Sequence, residues 1–332
     1  MATLHQEPAA QPSIAHETSR AYRLTAIDAL RGLAIVVMAI DHVRDYFLAG
    51  TDVDPTANAN VSLVLFATRW VTHFCAPVFV LLAGVSAGLM VSRKSRRELA
   101  RFLFTRGVWL ILVEVLIIAT AWSFAPGGIT EAGGLTWTPL QVIWAIGASM
   151  VALSGLQYLG RTACFALGAA VVVAHNLLDP VWPASQLFDQ QWPVWVALHS
   201  PMSMPVGPVL FVFRYPLLPW IGVMLLGYGA AALFEREPGA RNRALLWWAM
   251  PTTVPFLVLR FVDGYGEPNH WQAHERGAAT FIDFLNTTKY PPSLEFLAMT
   301  LGPAAIFCSF ADRMRGFFKD MFVMFGRVPF AF

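Results

Sequence analysis

Residues 27–47 of this chain read IDALRGLAIVVMAIDHVRDYF. The stretch is long and apolar enough to cross a bilayer as one helix. It also carries ionisable side chains, which are costly in that setting and usually face a bundle interior or a wet cavity. Positions spaced alternately three and four residues apart share one face of a helix, and here they are Asp28, Arg31, Ile35, Met38, His42 and Asp45. The pattern predicts a membrane helix with an Asp/Arg pair towards one end and a His/Asp pair towards the other.

The composition indicates a membrane protein rather than a soluble one. Hydrophobic residues make up 56% of the 332 residues and charged residues 13%, whereas a soluble domain has about 25% charged residues. The net charge is only +2, and the basic residues lie at the ends of apolar runs, which does not indicate nucleic-acid binding. The 3 cysteines are scattered without paired spacing, so we expect neither a disulfide framework nor a metal site.

The apolar runs predict an all-α fold, a polytopic transmembrane helix bundle of about eight or nine spans. The runs lie near 30–48, 70–92, 103–124, 138–156, 162–178, 209–234, 244–262 and 291–311, and a ninth begins near 317. The polar residues 1–22 are expected to form a disordered cytoplasmic tail. Residues 23–332 would be one membrane domain, which we expect to be truncated because the sequence stops within an apolar run.

Basic residues set the predicted orientation, since they collect on the cytoplasmic side of membrane proteins. If the N-terminus is cytoplasmic, most of the 23 basic residues fall inside. The exceptions on the outer side are Arg44, Arg69, Arg214, Arg260, Arg276 and Lys289. The long loops 179–208 and 263–290 then also lie outside, and loops of this length are usually functional or disordered. Their many Trp residues argue against disorder.

His42 is the leading candidate for a catalytic base, because a neutral imidazole accepts a proton near pH 7 and a carboxylate can fix its tautomer. Asp45 lies three residues on and shares its face, whereas Asp41 points about 100° away and could pair with Arg44 or with another helix. Alternatively, these residues form a solvated helix end. His73, near the outer start of the second span, is a second candidate base, with a structural hydrogen-bonding role as the alternative.

Other polar residues lie inside or at the ends of spans. Glu114 is in the middle of the third span and must be paired or protonated there, although the sequence identifies no partner. Gln141 opens the fourth span and could donate a hydrogen bond to a substrate. His175 and Asn176 end the fifth, where we expect solvation. Glycines at positions 84 and 88 are spaced for close packing of the second span against another helix.

Two outer helix starts repeat a basic–Tyr–Pro motif, Arg214-Tyr215-Pro216 and Lys289-Tyr290-Pro291. Proline fits the first turn of a helix and Tyr anchors membrane interfaces, so one interpretation is purely structural. Arg214 and Lys289 are among the few basic residues on the predicted outer side. The other interpretation is therefore that they and Tyr290 line an outward cavity and contact a substrate. Trp271 in the outer loop is open to the same two interpretations.

On the cytoplasmic side, Arg31 and the basic run 93–106 form a positive field, and topology alone accounts for most of these residues. Arg31, with Asp28 beside it, and Arg106 lie at the ends of apolar spans, where they could meet a polyphosphate. The sequence contains no glycine-rich phosphate loop, no metal-ligand spacing and no GxSxG motif.

Several motifs of the sequence together resemble one known family of membrane proteins. They are Ile27-Asp28-Ala29-Leu30-Arg31-Gly32-Leu33-Ala34 with Ile40-Asp41-His42, His73-Phe74-Cys75-Ala76-Pro77, Leu140-Gln141-Val142-Ile143-Trp144, Tyr215-Pro216-Leu217-Leu218-Pro219-Trp220, Tyr265-Gly266-Glu267-Pro268 and Thr288-Lys289-Tyr290-Pro291-Pro292-Ser293-Leu294. Together they resemble the heparan-α-glucosaminide N-acetyltransferase-like family of bacterial membrane proteins. The opening helix is also similar to that of the wider transmembrane acyltransferase superfamily, in which an Arg-Gly pair precedes a His that serves as catalytic base.

The resemblance implies a multi-pass acyltransferase of the bacterial inner membrane that moves an acetyl or short acyl group from acyl-CoA, without a metal. Acyl-CoA would bind from the cytoplasm near Arg31, Asp28 and Arg106. His42 would be the base, oriented by Asp45 or Asp41 and supported by His73; this role is carried from the wider superfamily, because the lysosomal enzyme has its catalytic His in a loop beyond this helix. The acceptor, a sugar or glycan at the outer face, would be lined by Arg214, Lys289, Tyr290, Trp271 and Gln141.

Two other classes of function remain open from the sequence. A transporter or flippase for an envelope glycan or lipid precursor would line its path with the same buried charges. A non-catalytic membrane partner would use the polar stripe to lock helices together. The concentration of ionisable groups at two depths, rather than along a continuous path, favours the enzyme. A homo-oligomer is compatible with the sequence.

Overall fold

The computed structural model of the chain describes residues 14–47, 61–123, 134–184 and 186–328. Helices dominate this part of the chain. In order they are α1 (Ile14–Phe47), α2 (Leu63–Thr72), α3 (Cys75–Leu89), α4 (Arg96–Val113), α5 (Ala119–Ser123), α6 (Val142–Leu156), α7 (Arg161–Ala174), α8 (Leu217–Ala230), α9 (Pro238–Val262), α10 (Gly277–Leu285), α11 (Leu294–Ala311) and α12 (Phe317–Arg327). A π-helical segment, Glu114–Ile118, joins α4 to α5.

Seven helical stretches of the described residues are long and apolar enough to cross a membrane. They are Leu63–Ser92, Arg96–Trp122, Val142–Leu159, Arg161–Leu178, Leu217–Glu235, Pro238–Val262 and Leu294–Ala311. They coincide with seven of the apolar runs in the sequence, so the expected polytopic helix bundle is confirmed and the chain is a multi-pass membrane protein. The first run lies in α1, which is not among the seven because charged side chains interrupt its apolar surface. α1 begins at Ile14, within the segment 1–22 that the sequence predicts as a tail, and residues 1–13 lie outside the described part.

A small sheet accompanies the helices, which the sequence did not predict. Its strands are β1 (Thr136–Leu140), β2 (Gln186–Gln191), β3 (Met202–Val206) and β4 (Val209–Phe213), in the order β1-β4-β3-β2. The sheet and α10 lie near the end of α1, because β1 contacts α5 and α10 contacts α2, and both of these helices contact the last turns of α1. The loops 179–208 and 263–290, which the sequence predicts to lie outside, are structured in part, as β2 with β3 and as α10 respectively.

The strands correct the starts of two predicted spans. The spans expected at 138–156 and 209–234 begin at Val142 and Leu217, because the residues before them pair as β1 and β4. An apolar run does not by itself distinguish a strand from a buried helix, and β4 consists of Val, Leu and Phe. β1 and β4 are parallel, with Leu140 opposite Phe213. Since each strand leads into a membrane helix, the starts of α6 and α8 are held side by side.

The centre of the bundle is a close packing of α3 on α8. A Cβ added to Gly84 would overlap the carbonyl oxygen of Met224, and one added to Gly227 would overlap that of Leu81. The two backbones therefore touch, as the small residues of the second span predict. Large side chains of α8, among them Trp220 and Tyr228, are fully buried beside this contact.

Gly84→Leu is expected to lower the stability of the bundle by about 1–3 kcal/mol or more, because α3 and α8 must separate to admit the side chain. Gly155→Leu is the matched control, since a Cβ at this glycine in α6 meets nothing within 4 Å. Thermal unfolding of the purified protein in detergent measures both. Equal melting temperatures for the two variants would contradict the close approach.

Candidate active site

The end of α1 carries a buried network centred on Asp41. Arg69 of α2 places Nη1 2.9 Å and 3.0 Å from the two carboxylate oxygens of Asp41. Arg44 Nη2 lies 2.6 Å from Asp41 Oδ1, and Thr72 Oγ1 lies 2.7 Å from the same oxygen. Asp41 therefore pairs both within α1 and with another helix, which are the two partners that the sequence left open. The network ties α1 to α2.

Arg44 extends this network towards the end of the helix. Its Nη2 also lies 2.7 Å from Asp45 Oδ1, so Asp45, expected to orient His42, accepts a hydrogen bond from Arg44. The Arg44 side chain is 7% exposed, and its Nη1 has no hydrogen-bond partner within the described part of the chain. A buried donor without a partner costs free energy, which a substrate oxygen at this position would recover.

His42 faces a different helix from Asp41. Its ring meets the edge of Trp122 in α5, with ring centroids 5.3 Å apart and planes at 82°. Tyr46, one turn later, stacks on the same indole at 5.5 Å. Adjacent helical residues point about 100° apart, so Asp41 faces α2 while His42 faces α5. The His42 side chain is half-buried.

His73 lies at the end of α2, where its backbone N–H donates to the carbonyls of Trp70 and Val71. Its side chain is 3% exposed, and its ring packs at 5.4 Å against Phe296 of α11. Of the two candidate bases, the half-buried His42 is therefore the more accessible to a substrate.

A short turn before α11 carries Lys289 and Tyr290, and Glu267 holds both ends of it. At one end, Glu267 Oε2 accepts the Thr288 backbone N–H at 2.8 Å, and Oε1 accepts the Thr288 hydroxyl. At the other end, Ser293 Oγ donates to Oε2 at 2.7 Å and caps the first turn of α11. The turn closes through the bond from Ser293 N–H to the Thr288 carbonyl, 2.9 Å long.

Glu267→Gln is expected to loosen this turn, because one acceptor oxygen is lost and hydrogen bonds to charged groups contribute about 1.5–3 kcal/mol. Amide hydrogen exchange of residues 286–294 should accelerate by about tenfold or more, since about 1.4 kcal/mol corresponds to a factor of ten. Glu275→Gln, at an exposed position of the same loop, is the control and should leave that exchange unchanged. Unchanged exchange in Glu267→Gln would contradict the clamp.

The two basic–Tyr–Pro motifs meet at this turn. The rings of Tyr215 and Tyr290 lie 5.2 Å apart at 73°, and their hydroxyl oxygens are 3.5 Å apart. Lys289 Nζ lies 5.3 Å from the centre of the Tyr290 ring, and the Arg214 guanidinium lies 5.8 Å from the same ring. The repeated motif in the sequence therefore corresponds to a direct contact.

Electrostatics joins this aromatic pair to the network around Asp41. Burial alone would raise the pKa of Tyr290, but the positive charges of Lys289, Arg69 and Arg214 outweigh burial and leave that pKa below its usual value. Arg69 thus acts on both Asp41 and Tyr290. The residues at the end of α1, in α2 and in the two turns belong to one site.

Gln141 lies beside Arg214 because of the β1–β4 register. The Arg214 backbone N–H donates to the carbonyl of Leu140, 3.2 Å away. The Gln141 backbone N–H donates to Glu114 Oε1 at 3.0 Å. Glu114, for which the sequence offered no partner, is thus a cap for the start of α6, and the π-helical segment begins at this residue. A carboxylate at a helix N-terminus is favourable because the free N–H groups carry partial positive charge.

Trp271 lies between the end of α9 and α10. Its Nε1 donates to the carbonyl of Arg260 at 2.8 Å, and its ring packs at 5.4 Å on Phe284 of α10. Arg260 is 1% exposed and donates to the carbonyls of Phe284, Asn269, Asp283 and Asn286. Trp271 and Arg260 therefore fold the loop that presents Glu267.

Arg31, at the other end of the polar stripe, lies in an interface between helices. It donates to Asp28 at 3.1 Å, to the carbonyl of Gly326 in α12 at 3.0 Å and to Ser86 of α3 at 3.4 Å. Ile35, which is 2% exposed, lies between it and His42 on the same face, so the two ends of the stripe have separate neighbours. Arg106 is on α4 with its guanidinium 5.0 Å from the Trp109 ring centre.

A further polar cluster surrounds His175 and Asn176, and the prediction that these two residues are solvated was wrong. His175 and Asn176 are 2% and 5% exposed because the structured loop 179–208 folds over them. His199 Nε2 lies 2.8 Å from Asp179 Oδ1, and Asn176 Nδ2 donates to Asp179 Oδ2 at 2.9 Å. Burial would raise the pKa of Asp179, but these hydrogen bonds outweigh burial and lower that pKa. Asn176 Oδ1 also accepts the N–H of Leu294, which fixes the start of α11.

The site at the end of α1 has an excess of positive charge. Its cations are Arg44, Arg69, Arg214 and Lys289, and its carboxylates are Asp41, Asp45 and Glu267. Such an arrangement of cations is suited to stabilise a developing oxyanion, and the half-buried imidazole of His42, which faces α5, is suited to accept a proton. Within the described ranges, no group of three or more His, Cys, Asp or Glu side chains could hold a metal ion.

Fold and site together define a multi-pass membrane protein with a charged site at one end of its bundle. The profile of the catalytic region of heparan-alpha-glucosaminide N-acetyltransferase matches residues 23–261, well over half of the chain. The chain therefore belongs to this acetyltransferase family, as the motifs of the sequence predict. A comparison with curated proteins finds no match.

Proposed function

We propose that this protein transfers an acetyl or short acyl group from acyl-CoA to an amine or hydroxyl of a sugar at the outer face of a bacterial inner membrane. The observation that carries the proposal is the site of Arg44, Arg69, Tyr290 and Lys289 around Asp41, in a chain of an acetyltransferase family. Cations and phenol groups at this position suit a carbonyl that becomes an oxyanion.

In the proposed reaction, His42 accepts the proton of the acceptor amine or hydroxyl as that group adds to the acyl carbonyl carbon. The carbonyl oxygen becomes an oxyanion that the Lys289 ammonium group stabilises. The intermediate then expels CoA by breaking the C–S bond, and the proton held by His42 passes to the departing thiolate. Asp41 and Asp45 act by positioning Arg44 and Arg69. His73, which is buried, would support the site through its packing on α11.

The donor side is proposed to be cytoplasmic, because most basic residues fall there when the N-terminus is inside. Arg106 and Arg31 would then contact the phosphates of CoA. Arg31 would have to exchange its bonds to Gly326 and Ser86 for a phosphate, and Arg106 would contact the phosphates from α4. Gln141 beside Arg214 would contact the acceptor sugar, and Trp271 would act by shaping the loop.

The proposal is tested with the purified protein in nanodiscs, supplied with acetyl-CoA labelled in the acetyl group and a glucosamine-terminated oligosaccharide. We expect labelled oligosaccharide and an equal amount of free CoA. No labelled acceptor and no loss of acetyl-CoA, with this acceptor and with envelope extract, would overturn the proposal. Movement of the oligosaccharide across vesicles without CoA would indicate a transporter instead.

A further inference from the structure

A second feature of the bundle is an apolar slot of about 530 Å³ between α9 and the rest of the protein. Leu245, Trp248 and Leu259 of α9 form one wall, and Leu297, Leu301 and Cys308 of α11 form another. Side chains of α3, α7 and α8 close the back. All of these helices belong to stretches that can span a membrane.

The slot is long. On α11 its lining runs from Leu294 to Cys308, and on α9 from Leu245 to Leu259. At 1.5 Å per residue each wall is about 21 Å long, roughly two thirds of the hydrocarbon thickness of a bilayer. A slot of this length and volume accommodates an extended hydrocarbon chain.

Nothing in the slot would retain water. A buried water needs two to four polar partners. The α9 wall offers two polar side-chain groups, the indole of Trp248 and the hydroxyl of Thr252. The Thr252 hydroxyl already donates to the Ala249 carbonyl at 2.8 Å. An empty apolar cavity of this size would forfeit many dispersion contacts. The contents must therefore be apolar.

The slot opens onto the surface that faces lipid. Two of its lining residues, Val173 of α7 and Trp248 of α9, are 54% and 47% exposed. Phe165 of α7 and Trp248 meet edge to face at 5.2 Å and form part of the rim. Hydrocarbon chains of the bilayer are the solvent at this opening, so they are the occupant that the surroundings supply.

We propose that the slot binds one acyl chain of a membrane phospholipid and that this chain completes the packing of α9 on the bundle. The slot is distinct from the candidate active site, because the active-site face of α11 carries Phe296 and Met299, which contact His73 and Trp70. The bound lipid is thus a structural ligand and not the acyl acceptor.

The test uses the protein in nanodiscs of phosphatidylcholine that carries a diazirine on one acyl chain. After irradiation, peptide mass spectrometry should find label on Ala298, Ala304 and Cys308, which line the slot and are 8%, 5% and 1% exposed. Leu257, on the outer face of α9 and 50% exposed, reports contact with bulk lipid. Label at Leu257 without label at the three slot residues would overturn the proposal.

Two matched variants separate slot binding from general lipid contact. Ala169→Phe places a ring in the slot from α7 and should reduce labelling of the slot residues severalfold. Ala170→Phe, the next residue, is exposed and outside the slot, so it should leave that labelling unchanged. Ala305→Leu fills the slot from α11 and replaces Ala169→Phe if the latter does not fold. Equal labelling in filled and control variants, or cross-links to a second copy of the chain in place of lipid, would overturn the proposal.

Discussion

His42→Gln is expected to lower the rate of acyl transfer by about 10²–10⁴-fold, the usual contribution of a positioned general base. Glutamine can occupy the place beside Trp122, but its amide does not accept a proton near neutral pH. The melting temperature and the affinity for CoA should therefore stay close to those of the unmodified protein. The rate of acetyl transfer to the oligosaccharide acceptor, followed against pH, measures the effect.

The control for this variant is His270→Gln. His270 has an imidazole whose Nδ1 lies 3.0 Å from Asp263 Oδ2, and its side chain is 67% exposed. We expect its substitution to leave the transfer rate unchanged. A full transfer rate in His42→Gln would remove His42 from the base role and direct attention to His73.

Arg260→Met is expected to destabilise the protein by about 3–5 kcal/mol, which is the usual result of removing one partner of a buried ion pair. Four backbone carbonyls lose their donor. Glu295, whose Oε2 is 3.6 Å from Arg260 Nη1 and whose side chain is 1% exposed, loses its counter-charge. Thermal or denaturant unfolding in detergent measures the change.

Two further variants distinguish the charge effect from the loss of carbonyl partners. Arg260→Met combined with Glu295→Gln removes both charges and should recover part of the loss, since an uncompensated carboxylate is no longer buried. Arg276→Met, at an exposed position of the loop to which Arg260 donates its hydrogen bonds, should change stability by no more than about 0.5 kcal/mol. Equal stability of Arg260→Met and Arg276→Met would contradict the buried role of Arg260.

Local features of the fold were predictable from the sequence because their causes are local. The length and apolarity of each run set the membrane helices, and small residues at positions 84 and 88 indicated where a helix packs closely. The i+3 spacing of Asp41 and Arg44 gave their pairing as one of two alternatives, and the structure contains both. The sequence singled out Arg69 as a basic residue on the predicted outer side, and Tyr215 as part of the repeated basic–Tyr–Pro motif. It did not predict that the two residues belong to one site.

Non-local contacts account for what the sequence could not predict. Glu114 and Gln141 are far apart in the chain, and only the packing of α4 beside α6 reveals their hydrogen bond. The sequence placed His175 in solvent, at the end of a span. It is buried because the loop 179–208 folds over it, and hydrophobic periodicity does not reveal how the strands of that loop pair. The role of Glu267 likewise depends on a turn that follows it by some twenty residues, and its side chain alone gives no indication of that partner.

The clamp of Glu267 on Thr288 and Ser293 has a consequence for natural variation in this protein. Because both ends of the turn are bonded to one carboxylate, the number of residues between them is fixed, while the side chains between them are free to differ. Insertions or deletions between Thr288 and Ser293 should be selected against. Divergence in acceptor preference would then arise by replacement of side chains such as Lys289 within a segment of constant length.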